Sequence, residues 1–267
     1  MARLDSIRAD VALVDRGIVR SRALAQRLID AGAVDLVVGG RVARVTRASQ
    51  PVFPEQALRV RESAESRFVS RGGAKLAHAL AECGINCSGI RALDVGQSTG
   101  GFSDCLLQHG AASVVGIEVG HGQLDPRLAA DGRVTCFEKT HVRDLSRDWL
   151  AQHAVEPHFD LIVVDLSFIS TVGLLDQLAR LADTGTALLA LVKPQFELGP
   201  DARNAKGIVR AGADIDGLRE RAWTAARAAG WQPGHWFACA LPGTDGNQEY
   251  FLAAVREPLH SDRSPTA

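Results

Sequence analysis

From Arg91 onward the chain is punctuated by short apolar runs at Arg91 to Val95, Ser113 to Glu118, Val134 to Phe137, Phe159 to Asp165 and Ala187 to Lys193. A helical or glycine-rich segment separates each run from the next. Apolar runs of about four to eight residues, alternating with helical stretches, pair their backbone groups most simply as a mostly parallel sheet wound with helices. Two later runs, Trp236 to Ala240 and Glu249 to Val255, flank the turn-rich Pro242-Gly243-Thr244-Asp245-Gly246-Asn247 and read as an antiparallel pair at one sheet edge. Seven strands of a Rossmann-like α/β domain are therefore expected.

The front of the chain follows another pattern. Apolar residues recur at helical spacing from Ile7 to Asp15 and from Ala23 to Ala31, the first stretch closed by Gly17, the second opened by Ser21 and closed by Gly32. Ala33 to Val38 and Arg41 to Val45 are strand-like around Gly39-Gly40, the composition of a two-residue hairpin, and Gln56 to Val60 fits a third strand. Residues 1–62 hold 11 Arg and no Lys against 7 Asp plus Glu, a balance of +4 in a chain of formal net charge -1, so the remainder stands at -5. A small basic α+β domain over 1–62 is the natural unit to face a polyanion. A polar linker over 63–69, a main domain over 70–256 and a polar tail over 257–267 complete the expected organisation.

Composition removes several classes. With 46% hydrophobic and 23% charged residues, the chain is an ordinary soluble globular protein. The apolar runs around Leu161 to Val164 and Ala187 to Val192 fall well short of the roughly 18 residues that cross a bilayer. The charged start Met1-Ala2-Arg3-Leu4-Asp5-Ser6 has no signal-peptide core, so a cytoplasmic protein without membrane contact is expected. Cys83, Cys87, Cys105, Cys136 and Cys239 are scattered without a CxxC pair, which predicts reduced, mostly buried thiols and no metal site.

The stretch Asp94-Val95-Gly96-Gln97-Ser98-Thr99-Gly100-Gly101-Phe102 places a strand end, a small-residue turn and a helix start in succession, so backbone amides can approach a ligand. A dinucleotide fingerprint requires glycine where Ser98 stands, and Asp94 would repel a pyrophosphate. The same carboxylate suits the cationic amino acid end of S-adenosylmethionine. Glu118, ending the next strand, is placed to accept hydrogen bonds from the two ribose hydroxyls of an adenosine. Asp94, Gly96, Ser98, Thr99, Gly100, Gly101, Phe102 and Glu118 are thus the candidate cofactor residues. A tight turn with a surface glutamate is the plainer alternative.

Two further strand-like runs end in charge. Phe159 to Asp165 closes on an acid and Leu188 to Lys193 on a lysine, at the strand ends that border the ligand crevice of such a sheet. Lys75 follows Ser70-Arg71-Gly72-Gly73, and Glu249 precedes Tyr250-Phe251. For these two, position alone leaves a functional role and a plain surface charge equally open. Moving a methyl group from a sulfonium to a hydroxyl requires alignment and removal of a weakly acidic proton. A lysine made neutral by burial or by a neighbouring cation serves as such a base, with carboxylates orienting the ammonium and the substrate.

Asp94 to Phe102, Val164-Asp165-Leu166-Ser167-Phe168-Ile169-Ser170, Val192-Lys193-Pro194-Gln195-Phe196-Glu197 and Asn247-Gln248-Glu249-Tyr250-Phe251 together resemble the TlyA family of ribosomal RNA 2′-O-methyltransferases, often labelled haemolysin A. The likeness spans nearly the whole chain. Residues 7–45, with Arg16-Gly17, Ser21-Arg22, Leu28-Ile29, Gly32 and the Gly39-Gly40 hairpin, resemble a small RNA-binding module named after a small-subunit ribosomal protein, and the rest resembles an FtsJ-like methyltransferase domain. The resemblance implies a catalytic tetrad of Lys75, Asp165, Lys193 and Glu249, with Lys193 as base toward a cytidine 2′-hydroxyl. It also implies S-adenosylmethionine as cofactor and ribosomal RNA or ribosomal subunits as partner. His141 stands where the family pattern leads one to expect Asn.

On this reading Arg16, Arg20, Arg22, Arg27, Arg41 and Arg44 are the candidate RNA contacts of the front module, with Arg20, Arg27, Arg41 and Arg44 on one phosphate-facing surface. Lys206 and Arg210, in a loop between the fifth strand and the next helix, extend the set. Two other classes remain in view. A catalytically silent, RNA-binding ribosome assembly factor would tolerate changes in the tetrad. A membrane-acting haemolysin would need apolar or strongly amphipathic segments, which the sequence lacks. A base methyltransferase is disfavoured, since there is no Asn-Pro-Pro-aromatic signature and no cysteine placed as nucleophile.

Overall fold

The computed structural model describes residues 6–19, 21–61, 67–243 and 245–258; Arg20, most of the expected linker and most of the tail lie outside the described residues. Two compact units divide the chain, Met1–Arg71 and Gly72–Ala267.

In the first unit, β1 (Ile7–Arg8) leads into a helix over Ala9–Asp15 and a second over Arg22–Asp30, followed by β2 (Val34–Val38), β3 (Arg41–Arg44), β4 (Pro51–Val52) and β5 (Ala57–Val60). β2 lies between β3 and β5 with both pairings antiparallel, and β1 pairs with β4. Ile7 and Arg8 are thus extended where helical spacing predicts the start of a helix. The reason is local: Arg8 reaches forward to the buried Asp10 at 2.9 Å, and the Ala9 and Asp10 N–H groups donate to Gln50 and Ala48 carbonyls. Ser21 caps the second helix, its Oγ accepting from Leu24 N at 3.2 Å. Leu13, Leu24, Leu28, Ile29, Val34 and Val52 form the centre of this unit's core.

The second unit carries the sheet: β6 (Arg91–Val95), β7 (Ser113–Ile117), β8 (Val134–Phe137), β9 (Leu161–Val164), β10 (Ala187–Val192), β11 (Trp231–Ala238) and β12 (Tyr250–Arg256). Their order is β11-β12-β10-β9-β6-β7-β8, parallel from β10 to β8, with β12 antiparallel to both neighbours. β11 begins five residues before the expected Trp236. Trp231 accounts for the difference: it is 1% exposed, and its Nε1 donates to the Leu175 carbonyl at 2.9 Å. Pro233 is accommodated because β11 is an edge strand with an irregular register at Pro233/His235.

Leu93, Val95, Ile162, Val164, Leu188, Ala190, Val192 and Leu252 hold the sheet against its helices. All five cysteines are free thiols, and burial pushes Cys87 and Cys136 up to about 11, so both stay protonated and unreactive near neutral pH. Among the described residues no helix is long and apolar enough to cross a membrane.

The topology fixes where chemistry can occur. The strand order reverses between β6 and β9, which opens a crevice beyond their carboxyl ends. β12 runs the opposite way, so its first residues arrive at the edge where β10 ends: Val192 pairs with Tyr250. A residue just before β12 therefore meets residues just after β9 and β10.

Candidate active site

β6 runs into a turn that only glycine allows. Gly96 has φ +87, and a Cβ there would overlap the Asp165 carbonyl oxygen. The turn thus passes directly beneath the end of β9. Gly96 and Gln97 N–H groups both donate to the Ile117 carbonyl, at 2.9 and 3.1 Å. The Glu118 carboxylate accepts from Ser98 N at 2.8 Å and from Gly120 N at 2.7 Å, which orders it while leaving lone pairs for a ligand.

Asp94 is fully buried. Ser103 Oγ donates to its Oδ2 at 2.7 Å and itself accepts from Gln97 Nε2 at 2.7 Å, while Asp94 Oδ1 has no hydrogen-bond partner among the described residues. Burial pushes its carboxyl up to about 7, against the Ser103 hydrogen bond, with the nearby Asp165 and Glu118 charges adding to the rise. An orphaned carboxylate oxygen in the interior calls for a cationic ligand. Beside it, a cavity of about 670 Å³ is lined by Gly96, Ser98, Ile117, Glu118, His141 and Asp165, among others. A buried acid for an amino group and an ordered acid for a ribose diol fit S-adenosylmethionine.

Not every residue expected at the cofactor reaches this wall. Gly96, Ser98 and Glu118 line the cavity; Thr99, Gly100, Gly101 and Phe102 do not, and neither does Asp94, which is fully buried one residue before the lining Val95. Gly100, at φ +90, starts the helix Gly101–Gln108 and packs against Leu124 and Leu128. Phe102 is buried, with its ring stacked 6.4 Å from Phe251. These residues support the turn from behind. His141 lines the cavity, and its Nδ1 accepts from Arg143 N at 3.0 Å, capping a short helix in the role an Asn side chain also fills.

At the same sheet edge the structure brings four charged side chains into two pairs. Lys193 Nζ lies 2.7 Å from Asp165 Oδ1 and donates to Ser167 Oγ at 3.0 Å. Lys75, on the helix Arg71–Glu82, lies 2.5 Å from Glu249 Oε2. Lys75, Lys193 and Glu249 are 7%, 8% and 3% exposed, so these are not solvated surface charges. Burial pushes the nearby Cys239 thiol up, a backbone hydrogen bond from Leu241 and the Lys75 charge oppose the rise, and the Glu249 and Asp165 charges add to it.

The front-module arginines separate into different roles. Arg16 donates to the Phe53 carbonyl at 3.0 Å and to the Gln56 carbonyl, tying the end of the first helix to a turn. Arg22 pairs with the buried Asp10 at 2.8 Å. Arg27 is half-buried, and Arg41 and Arg44 are exposed. Arg41 and Arg44 stand three apart on β3, so they leave opposite faces of the strand and do not share the single surface expected from sequence. Arg44 lies against Gly32. In the second unit Lys206 and Arg210 are both exposed.

Several residues of the site stand within the motifs that carry the resemblance, yet no sequence pattern singles them out. Ser167 touches Lys193. Glu197 takes Ser170 Oγ at 2.6 Å and the N–H groups of Thr171 and Val172 at 2.7 and 3.2 Å, fastening the loop after β9 to the segment after β10. Phe168, on the cavity wall, is 90% exposed at φ +67, with its ring 5.2 Å from Phe196.

The chain is similar to known proteins over most of its length. The FtsJ-like methyltransferase family profile matches residues 68–256. The 16S/23S rRNA (cytidine-2′-O)-methyltransferase TlyA of Mycobacterium tuberculosis is 41% identical over 249 residues, which cover 92% of this chain and 88% of the relative. Hemolysin A of Brachyspira hyodysenteriae is 31% identical over 244 residues, covering 91% and 98%. A solved hemolysin-designated protein from Streptococcus thermophilus superimposes with a TM-score of 0.72 at 30% identity, covering 98% of this chain and 93% of its own. The chain belongs to the TlyA family of S-adenosylmethionine-dependent methyltransferases, with an FtsJ-like catalytic domain.

Proposed function

We propose that this chain methylates the 2′-hydroxyl of a cytidine ribose in ribosomal RNA, with Lys75, Asp165, Lys193 and Glu249 as the catalytic tetrad and Lys193 as the base. The observation that carries this reading is the pairing of two buried lysines with two carboxylates, one of which, Asp165, lines the cavity. Asp94, with Gly96, Ser98 and Glu118 at the cavity, would hold the cofactor. When bound there, S-adenosylmethionine supplies an electrophilic methyl group on a sulfonium.

The chain's own part is positioning and proton transfer. Lys193 in its neutral form takes the hydroxyl proton, and Asp165 at 2.7 Å stabilises the ammonium that results. Ser167 accepts one of the Nζ hydrogens and fixes where the nitrogen lone pair points. The Lys75–Glu249 pair, buried and ordered, orients the ribose from the other side. A small domain over 1–62, joined through 63–69 to a catalytic domain over 70–256, would hold RNA through arginine contacts to phosphates, which position the substrate without reading sequence. The hemolysin names of two similar proteins favour a membrane activity by label only.

The test is transfer from labelled S-adenosylmethionine to separately supplied, unmodified small and large ribosomal subunits, with nuclease mapping that separates ribose from base methylation. Ribose label on cytidine is expected, and Lys193→Ala should abolish it while cofactor binding persists. Base label, or turnover retained in Lys193→Ala, would overturn the assignment. Cofactor binding with no label on either subunit would favour the silent assembly factor.

A further inference from the structure

Beyond Lys193 the chain leaves the sheet and forms a loop that closes on itself. Arg203 bridges to Val209, Asn204 N donates to the Ile208 carbonyl at 2.8 Å, and Arg210 N donates to the Ala202 carbonyl at 2.8 Å. Asn204 Oδ1 accepts from Lys206 N and Ile208 N at 2.9 and 3.0 Å, which curls the tip so that Lys206 projects into solvent. These bonds shape the loop without fixing it to the sheet.

Asn247 makes that attachment. It is 1% exposed; its Oδ1 accepts from Val209 N at 2.8 Å, and its Nδ2 donates to the Gly207 carbonyl at 3.2 Å and to Asp245 Oδ2 at 2.7 Å. Asp245 in turn accepts from Asn247 N at 3.1 Å and from Gln195 Nε2 at 3.4 Å. Gln195 follows Lys193 by two residues and Asn247 precedes Glu249 by two. One buried carboxamide therefore joins the basic loop to the two segments that carry Lys193 and Glu249. Its chemistry is specific: only an amide offers both an acceptor to Val209 N–H and donors to Gly207 and Asp245. Aspartate would set a carboxylate against a carbonyl and a second carboxylate.

We propose that Asn247 is a positioning residue that locks the 203–210 loop in the register where Lys206 and Arg210 meet RNA phosphates, and holds that register fixed relative to Lys193 and Glu249. The proposal rests on the RNA-methylating reading above. Once the pin is removed, the loop still closes on itself but wanders over the sheet edge, so RNA is held loosely while the cofactor site is untouched.

The experiment compares the full chain with Asn247→Ala, Asn247→Asp, the double variant Lys206→Ala/Arg210→Ala, and the double variant combined with Asn247→Ala. Loss of the two hydrogen bonds to the loop, out of three that the side chain makes, predicts, for Asn247→Ala, about a tenfold faster amide exchange at Gly207 to Val209 and about a tenfold higher KM for the ribosomal subunit, with cofactor affinity unchanged and kcat altered less than KM. Combined with the double variant, Asn247→Ala should add little further to KM. Asn247→Asp keeps the side-chain size and should fail to restore KM. Unchanged exchange, a loss confined to kcat, an undiminished KM effect when Lys206 and Arg210 are absent, or full rescue by Asp would each overturn the proposal. If the parent chain places no ribose label on RNA, the methylation reading falls, whereas the exchange rates and equilibrium RNA binding of the same variants still decide the role of Asn247.

Discussion

Replacing Asp94 by Asn removes a single ionisable group from the interior at almost constant volume. Asp94 is fully buried, and its carboxyl is pushed from 3.8 up to about 7. A rise of about three units is worth about 4 kcal/mol at ~1.36 kcal/mol per unit, the amount by which the ionised side chain disfavours the cofactor-free fold. The sign follows from which state loses its proton first. In the unfolded chain the acid ionises near pH 4 and in the fold only near pH 7, so stability falls as pH rises between those values and is level above them.

Asn carries no such cost, although it loses the charge assistance from Ser103. Cofactor-free Asp94→Asn should therefore be more stable than the parent by about 2–4 kcal/mol at pH 8, or ~5–15 °C in Tm, and the gap should close toward pH 4. The same ionisation governs ligand affinity. Binding a cationic amino group requires the carboxylate, so the parent's affinity for S-adenosylmethionine should fall about tenfold per pH unit below pH 7, and the variant should bind weakly at every pH. Thermal unfolding and calorimetric titration between pH 4 and 8 measure both. A stability difference that does not change with pH, or parental affinity in Asp94→Asn, would refute the reasoning.

Asp10 behaves in the opposite sense: the Arg8 hydrogen bond, joined by Arg22 and opposed by burial, holds its carboxyl down at about 2. Asp10→Asn should cost about 1–2 kcal/mol near neutral pH, a modest value because both arginines are largely exposed, and acid titration of the parent should show the same stability lost as pH falls from about 4 through about 2. Glu197→Gln weakens the clamp on Ser170 to Val172; urea melts should show about 1–2 kcal/mol lost, and kinetics a fall in kcat at unchanged cofactor affinity. Removing Arg41 or Arg44 should weaken RNA binding evenly across sequences and reduce the slope of log affinity against log salt by about one for each phosphate no longer neutralised, read from binding isotherms at several salt concentrations.

The strand runs and their charged ends are readable because a buried parallel strand leaves an apolar stretch, and a polar residue at its end has few places to go but the crevice. Asp165 and Lys193 stand out for that reason. Lys75 sits on a helix, and Glu249 precedes an antiparallel strand, so nothing local marks either; only the inverted direction of β12 brings Glu249 to the edge where β10 ends. Glu197 and Asn247 fall inside motifs visible in the sequence, but their roles are hidden, since each satisfies backbone groups more than 20 residues away and a cap of that kind has no periodicity. Arg41 and Arg44 read as one surface because both are basic and close in sequence, whereas a strand sends residues three apart to opposite sides.

The last strand of this sheet is not its edge: β12 is inserted between β10 and β11. During synthesis, the segments that line the cofactor cavity, up to Ile169, all emerge before the turn that delivers Glu249. A chain cut short before Tyr250 would leave the apolar flank of β10, Leu188 to Val192, without its partner. Such a product carries an exposed pairing edge and is marked for aggregation or degradation. The fold thereby ties burial of β10 to the last strand made, so the sheet closes only when the chain has passed Tyr250.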